Sequence, residues 1–360
     1  MSLKIILFDD IPEYREAVAN ALTTELGKKG QLICFVPGVG GEKRGVFEER
    51  IIKDLQEAPH TGADLIVADR DLSAYTEHYM GLSEATVRRA ADALGIPECG
   101  YARGEGEGDK EYVQRGEQRE ACIRLSRADG DAKLALRAVA LAEGFRDIAA
   151  KLEGTRGSFA KKTPGKLLAD VLGKPEYSEK ISMYASGDQN RLAATAAARA
   201  THGEERIRRV ACVLGYWLWD SILRFPGVTL NEVAASSYLN IDVDAFKSDR
   251  EIQNLFLAAR YSGPFAKARL DSVWWRGMLD DVVSEAGFED GRSFVSDRLR
   301  REVPPSRCCE DDSKTAGYYC FLSERPVSLE NSKPGLLWFP RGADWTRVSK
   351  SSYDDEAPWL

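Results

Sequence analysis

Two hydrophobic rhythms alternate over the first 150 residues. Residues 4–8 (KIILF) form a short aliphatic run of the kind that builds a strand covered on both faces. Asp9 and Asp10 end the run and Pro12 follows. Val18, Leu22 and Leu26 then recur at i, i+4 and i+8, on one face of a helix, with Gly27 and Gly30 as its expected stops. Residues 31–36 (QLICFV) read as a second strand. Val46, Ile51, Ile52 and Leu55 are the apolar positions of a second helix. The stretch ADLIVADRD is a third strand ending at Asp69, and Ser83 is placed to cap a helix over 83–94. ECGYA and ACIRLS supply fourth and fifth strands, and an alanine-rich helix over 131–152 closes the pattern.

Beyond it, residues 154–165 (GTRGSFAKKTPG) are small, basic and broken by Pro and Gly, which marks a domain boundary. Residues 166–300 read as mainly helical. The run VACVLGYWLW, from Val210 to Trp219, is too short for a membrane span of ~20 apolar residues and is expected to be a core helix or a dimer surface. Residues 229–246 resemble a helix-turn-helix in which Thr229 would cap the first helix. Asp242 and Asp244 open the second helix with acid where phosphates would lie, so a plain helical pair is the expected reading. Trp274 and Trp275 beside Arg276 are expected to divide between one core and one half-exposed ring, with a recognition patch as the alternative. Residues 301–360 change character and read as short strands and loops. The expected units are therefore 1–153, a 154–165 linker, 166–300 and a mixed 301–360 segment.

Composition narrows the function classes. With 43% hydrophobic and 30% charged residues, the chain has the balance of a folded protein. With a net charge of −7, binding nucleic acid would require a local basic patch, and nucleic acid is not expected as a partner. The N-terminal run is too short for a secretory leader, and membrane association is not expected, so the expected compartment is the cytoplasm. Seven scattered cysteines fit a reducing environment. Cys308, Cys309 and Cys320 lack the CxxC spacing of a zinc site, and His60, His78 and His202 are far from them in sequence. The glycine-rich 37–45 stretch lacks the order of a phosphate-binding loop, and the Gly-acid repeat at 104–110 would repel a nucleotide.

Strands alternating with helices predict a parallel sheet with helices on both faces, which binds ligands at the carboxyl ends of its strands. In a sheet ordered 2-1-3-4-5, the strands ending at Asp9-Asp10 and at Asp69 are neighbours. Three carboxylates then converge, and an oxygen-only cluster suits a hard cation such as Mg²⁺.

KIILFDDIPEYREA and ADLIVADRD together resemble the receiver domain of bacterial response regulators, over residues 1–150. The resemblance implies a doubly wound, five-stranded, flavodoxin-like α/β fold. It also implies Mg²⁺ held by Asp9, Asp10 and Asp69, with the backbone carbonyl of Asp71 as a further ligand. Asp69 becomes the phosphoacceptor, a histidine kinase or other signalling protein the partner, and the helical region the output. Such a chain accepts a phosphoryl group rather than acting as a turnover enzyme.

Two positions depart from the family. Gly100-Tyr101-Ala102-Arg103 offers no small hydroxyl after strand four. Leu125-Ser126-Arg127 offers no Lys after strand five, and only Arg124 or Arg127 supplies positive charge. These departures leave a phosphate-independent interaction scaffold as the alternative. An enzyme or DNA-binding regulator with its site in 166–360 lacks a recognisable constellation.

Overall fold

The computed structural model describes residues 2–35, 47–75, 82–102, 123–154, 162–187 and 203–356. The 37–45 and 104–110 stretches, residues 155–161 of the expected linker, His78, Cys122 and His202 lie outside them.

The expected doubly wound sheet is present. Strands β1 (Leu3–Phe8), β2 (Gly30–Cys34), β3 (Leu65–Asp69), β4 (Glu98–Tyr101) and β5 (Ile123–Leu125) form one sheet in the order β2-β1-β3-β4-β5. Every pairing in it is parallel. Gly30, expected as a helix stop, opens β2 instead. A Cβ there would come within 2.7 Å of the Leu3 carbonyl oxygen, so the close approach of β2 to β1 requires glycine.

Helices α1 (Pro12–Leu26), α2 (Phe47–Gln56), α3 (Glu84–Leu94) and α4 (Asp131–Gly154) connect and cover the strands. Pro12 opens α1, where its missing N–H costs nothing, and Gly27 ends it at a φ of 49°. Ser83 caps α3 as expected, accepting the Thr86 N–H at 3.4 Å. Because strand side chains alternate in direction, Ile5, Leu7, Val67, Cys99 and Tyr101 share a core with α1 and α4. Ile6, Phe8, Ile66 and Ala68 pack with Ile51, Leu55 and Val87 of α2 and α3 on the other face.

Downstream, α5 (Pro164–Val171) and α6 (Ser178–Met183) precede α7 (Gly203–Trp217), which runs into a π-helical turn at Leu218–Ile222. Trp217 and Trp219 are buried, and α7 packs along α4. The core on the α1–α4 side therefore continues without a break into the helical region. Gly144 admits the Phe265 ring, which would lie 2.4 Å from an added Cβ, and Gly215 admits Phe145 in the same way at 2.2 Å. Buried Arg137 reaches across the same seam to the Ala268 carbonyl at 2.9 Å.

The segment read as a possible helix-turn-helix begins as a strand. β6 (Thr229–Asn231) pairs with β7 (Val273–Trp275), so Thr229 is not a cap. Asn231 caps α8 (Glu232–Tyr238), and Asp242 caps α9 (Val243–Ser248). The same pairing overturns the expectation that one tryptophan is half exposed. Trp274 and Trp275 are 1% and 4% exposed, because Phe246 covers one while Tyr177 and Tyr261 cover the other. The region continues through α10 (Arg250–Leu255), α11 (Arg276–Glu285) and α12 (Gly291–Leu299).

The C-terminal part is a small four-stranded sheet beside a two-stranded hairpin, as the change in sequence character predicts. Among the described residues, no helix is long and apolar enough to cross a membrane.

Candidate metal centre

β1 and β3 are direct neighbours in register, with Phe8 opposite Ala68. Asp9 and Asp10 follow the end of β1, and Asp69 is the last residue of β3, so their side chains meet at the carboxyl edge of the sheet. Each offers a carboxylate oxygen, and the three oxygens lie within 4.8 Å of one another. Asp9 and Asp69 are 0% exposed and Asp10 is 9% exposed.

Such a cluster is costly by itself. Each ionised pair at this separation repels by roughly 3–4 kcal/mol at an effective dielectric of about 20. Protein donors offset part of that cost. One oxygen of Asp9 accepts the Ile11 N–H at 3.0 Å, and the other accepts the Tyr101 hydroxyl at 2.5 Å. Asp10 accepts the Ala74 N–H. Arg15 donates to the main-chain carbonyl of Asp9 at 3.2 Å. Burial and then the Asp9 charge push the Tyr101 phenol well up, so at neutral pH it stays protonated and donates. Tyr75, also raised mainly by burial, places its hydroxyl 3.4 Å from the carbonyl oxygens of Asp9 and Phe35.

The donor set fits Mg²⁺. It is all oxygen and anionic, at a spacing that one small cation can bridge. Asp71 lies in the exposed turn two residues beyond Asp69, and its carboxylate accepts the Ser73 N–H at 3.0 Å.

Around this centre the departures from the receiver pattern have defined positions. Tyr101 ends β4 directly opposite Asp69. The two arginines named as sources of positive charge both pair with other acids, and the charge of Arg127 also acts on Asp9 and Tyr101. Arg124 pairs with Glu84 at 2.8 Å, on the α3 face of the sheet. Arg127 bonds to Asp131 through two nitrogens and stacks over the ring of Tyr14, 5.2 Å from its centroid.

Sequence reasoning missed Tyr101 and Ala74 as partners of the acids. It treated the end of strand four only as lacking a small hydroxyl. The available signal was register, since a residue ending β4 stands opposite one ending β3.

The other chemical candidates gather elsewhere. A cleft of about 840 Å³ lies between α4 and residues 257–273, lined by Glu143, Asp147, Arg260 and Arg269 among others, and none of the three aspartates lines it. Cys308 and Cys320 are buried free thiols whose sulfurs accept the N–H groups of Ser328 and Ser349. Among the described residues, the aspartates form the group of three or more ligand-bearing side chains close enough to hold one ion. No protein-family model matches the sequence, and no curated protein matches it significantly.

Proposed function

We propose that this chain is a response-regulator-like signalling protein whose N-terminal sheet carries a divalent-cation site. Asp9, Asp10 and Asp69 would hold Mg²⁺ together with the main-chain carbonyl of Asp71, and Asp69 is the candidate phosphoacceptor. The observation that carries this reading is the convergence of three buried carboxylates at the carboxyl edge of a 2-1-3-4-5 sheet. Bound Mg²⁺ would supply positive charge to the oxygens of a transferring phosphoryl group. An Asp69 oxygen would form the new P–O bond while phosphorus parts from its donor atom, which keeps the electron pair. A histidine kinase or a similar cytoplasmic signalling protein would be the donor. Residues 166–360 would read the change through the seam between α4, α7 and Phe265.

A beryllofluoride mimic of the phosphoryl group tests the phosphoacceptor role. It is expected to raise the melting temperature of the wild type only when Mg²⁺ is present, and to have no effect on Asp69→Asn. An equal response in both proteins would contradict the assignment of Asp69.

One observation favours a second reading, a phosphate-independent scaffold. Tyr101 occupies the end of β4, and Arg127 is held by Asp131. A phosphoryl group would therefore lack the small hydroxyl and the lysine that receivers place beside it. A Mg²⁺ response without a beryllofluoride response would select this reading.

A further inference from the structure

The Asp9 carboxylate already has a partner that the family pattern does not include. Tyr101 is fully buried, and its hydroxyl sits 2.5 Å from one Asp9 oxygen while the Ile11 N–H occupies the other at 3.0 Å. The ring is fixed by strand register, because the Tyr101 Cα stands opposite Asp69 across β3 and opposite Leu125 across β5. The main chain is held toward β3 as well, since the Arg70 N–H donates to the Tyr101 carbonyl at 2.9 Å. The phenol is thus delivered to the cation site by the sheet itself.

We propose that Tyr101 is a gate on the cation site, a built-in donor that competes with the metal for Asp9. The inference rests on the reading of Asp9, Asp10 and Asp69 as a cation site. A hydroxyl bonded to a carboxylate oxygen draws charge away from it and would compete with a cation for that oxygen. A cation strong enough to displace the hydroxyl gains the site. A weaker one leaves the tyrosine in place.

Removing only the hydroxyl isolates the effect. Tyr101→Phe is expected to bind Mg²⁺ about tenfold more tightly than wild type, equivalent to about 1.4 kcal/mol. Binding is read by calorimetry and by the Mg²⁺ concentration at which the melting temperature rises. Tyr216→Phe serves as a control, because Tyr216 is a buried tyrosine whose hydroxyl bonds to Glu98 and not to the aspartates. It is expected to keep the wild-type Mg²⁺ midpoint even where it lowers stability.

An unchanged or weaker affinity in Tyr101→Phe would overturn the gate and assign the hydroxyl a supporting role, while leaving the cation site standing. If neither wild type nor Tyr101→Phe responds to Mg²⁺ or Mn²⁺, both the cation reading and the gate fail. Should Tyr101→Phe not fold, tyrosine ultraviolet difference absorbance of the wild type decides. A change on saturation with Mg²⁺ is expected as the phenol loses its carboxylate acceptor, and an unchanged spectrum with Mg²⁺ bound would overturn the gate.

Discussion

The hydroxyl of Tyr216 holds both main-chain groups of Glu98. It accepts the Glu98 N–H at 2.7 Å and donates to the Glu98 carbonyl at 2.9 Å. Glu98 opens β4, one residue before the first β4–β5 partners, Cys99 and Ile123. A side chain from α7 thereby satisfies main-chain groups at the start of a receiver-like strand. The other end of that four-residue strand carries Tyr101, bonded to Asp9.

Tyr216→Phe should therefore destabilise the whole protein rather than the helical region alone. It leaves a buried N–H and a buried carbonyl without their hydroxyl, and each such loss costs about 1–3 kcal/mol. Urea unfolding followed by both circular dichroism and tryptophan fluorescence should show one transition, shifted to lower denaturant. Two separate transitions would show that the seam does not couple the two parts.

The seam makes a second prediction. An alanine Cβ at position 144 would lie 2.4 Å from the Phe265 ring, and Phe265 itself is held at a φ of 69°. Neither side can yield without moving a helix or a strained loop. Gly144→Ala is expected to cost about 1–3 kcal/mol, well beyond the ordinary effect of a glycine-to-alanine change in a helix, which stabilises. A thermal melt at or above that of wild type would show that the loop repacks freely.

Glu98 sets a pH dependence. Its carboxyl is 0% exposed and its two oxygens have no hydrogen-bond partner among the described residues. Burial, and then the charge of Glu84, raise its affinity for a proton well above the ordinary glutamate range, while Arg88 and Arg124 act in the opposite sense. The folded state thus keeps the proton to higher pH than the unfolded state does. The stability linked to this group is complete below pH 4.5, the ordinary value, and declines by about 1.4 kcal/mol per pH unit above it until the folded carboxyl ionises. Glu98→Gln, which cannot ionise, should lack that decline. Its advantage over wild type should grow from pH 4 to pH 8 in parallel denaturation series. A difference that stays constant with pH would mean that Glu98 titrates normally.

The sheet was legible because β1, β2 and β3 are short apolar runs closed by Asp9, Pro37 and Asp69, and α1 and α3 carry their own start and stop signals. The acidic triad was legible for the same reason. Its members end β1 and β3, and the strand order alone makes them neighbours. What remained hidden depends on contacts distant in sequence. Nothing near Tyr101 announces that it will face Asp9, 92 positions away. Nothing near Gly144 announces Phe265. One of Trp274 and Trp275 was expected to be half exposed, yet Phe246 covers Trp274 while Tyr177 and Tyr261 cover Trp275. Thr229 has the chemistry of a cap, and its pairing with Trp275 made it a strand residue instead.

A Mg²⁺ titration of the full chain tests most directly whether Asp9, Asp10 and Asp69 form a cation site. Three buried carboxylates within 4.8 Å of one another repel, and a cation bound only by the folded state stabilises it by mass action. The melting temperature of wild type should begin to rise near the dissociation constant of one weak site and keep rising with the logarithm of the Mg²⁺ concentration. Asp69→Asn removes one anionic ligand, so it should melt at or above wild type without the metal and show a much smaller Mg²⁺ response. A wild-type melting temperature indifferent to Mg²⁺, or an equal rise in Asp69→Asn, would contradict the cation site.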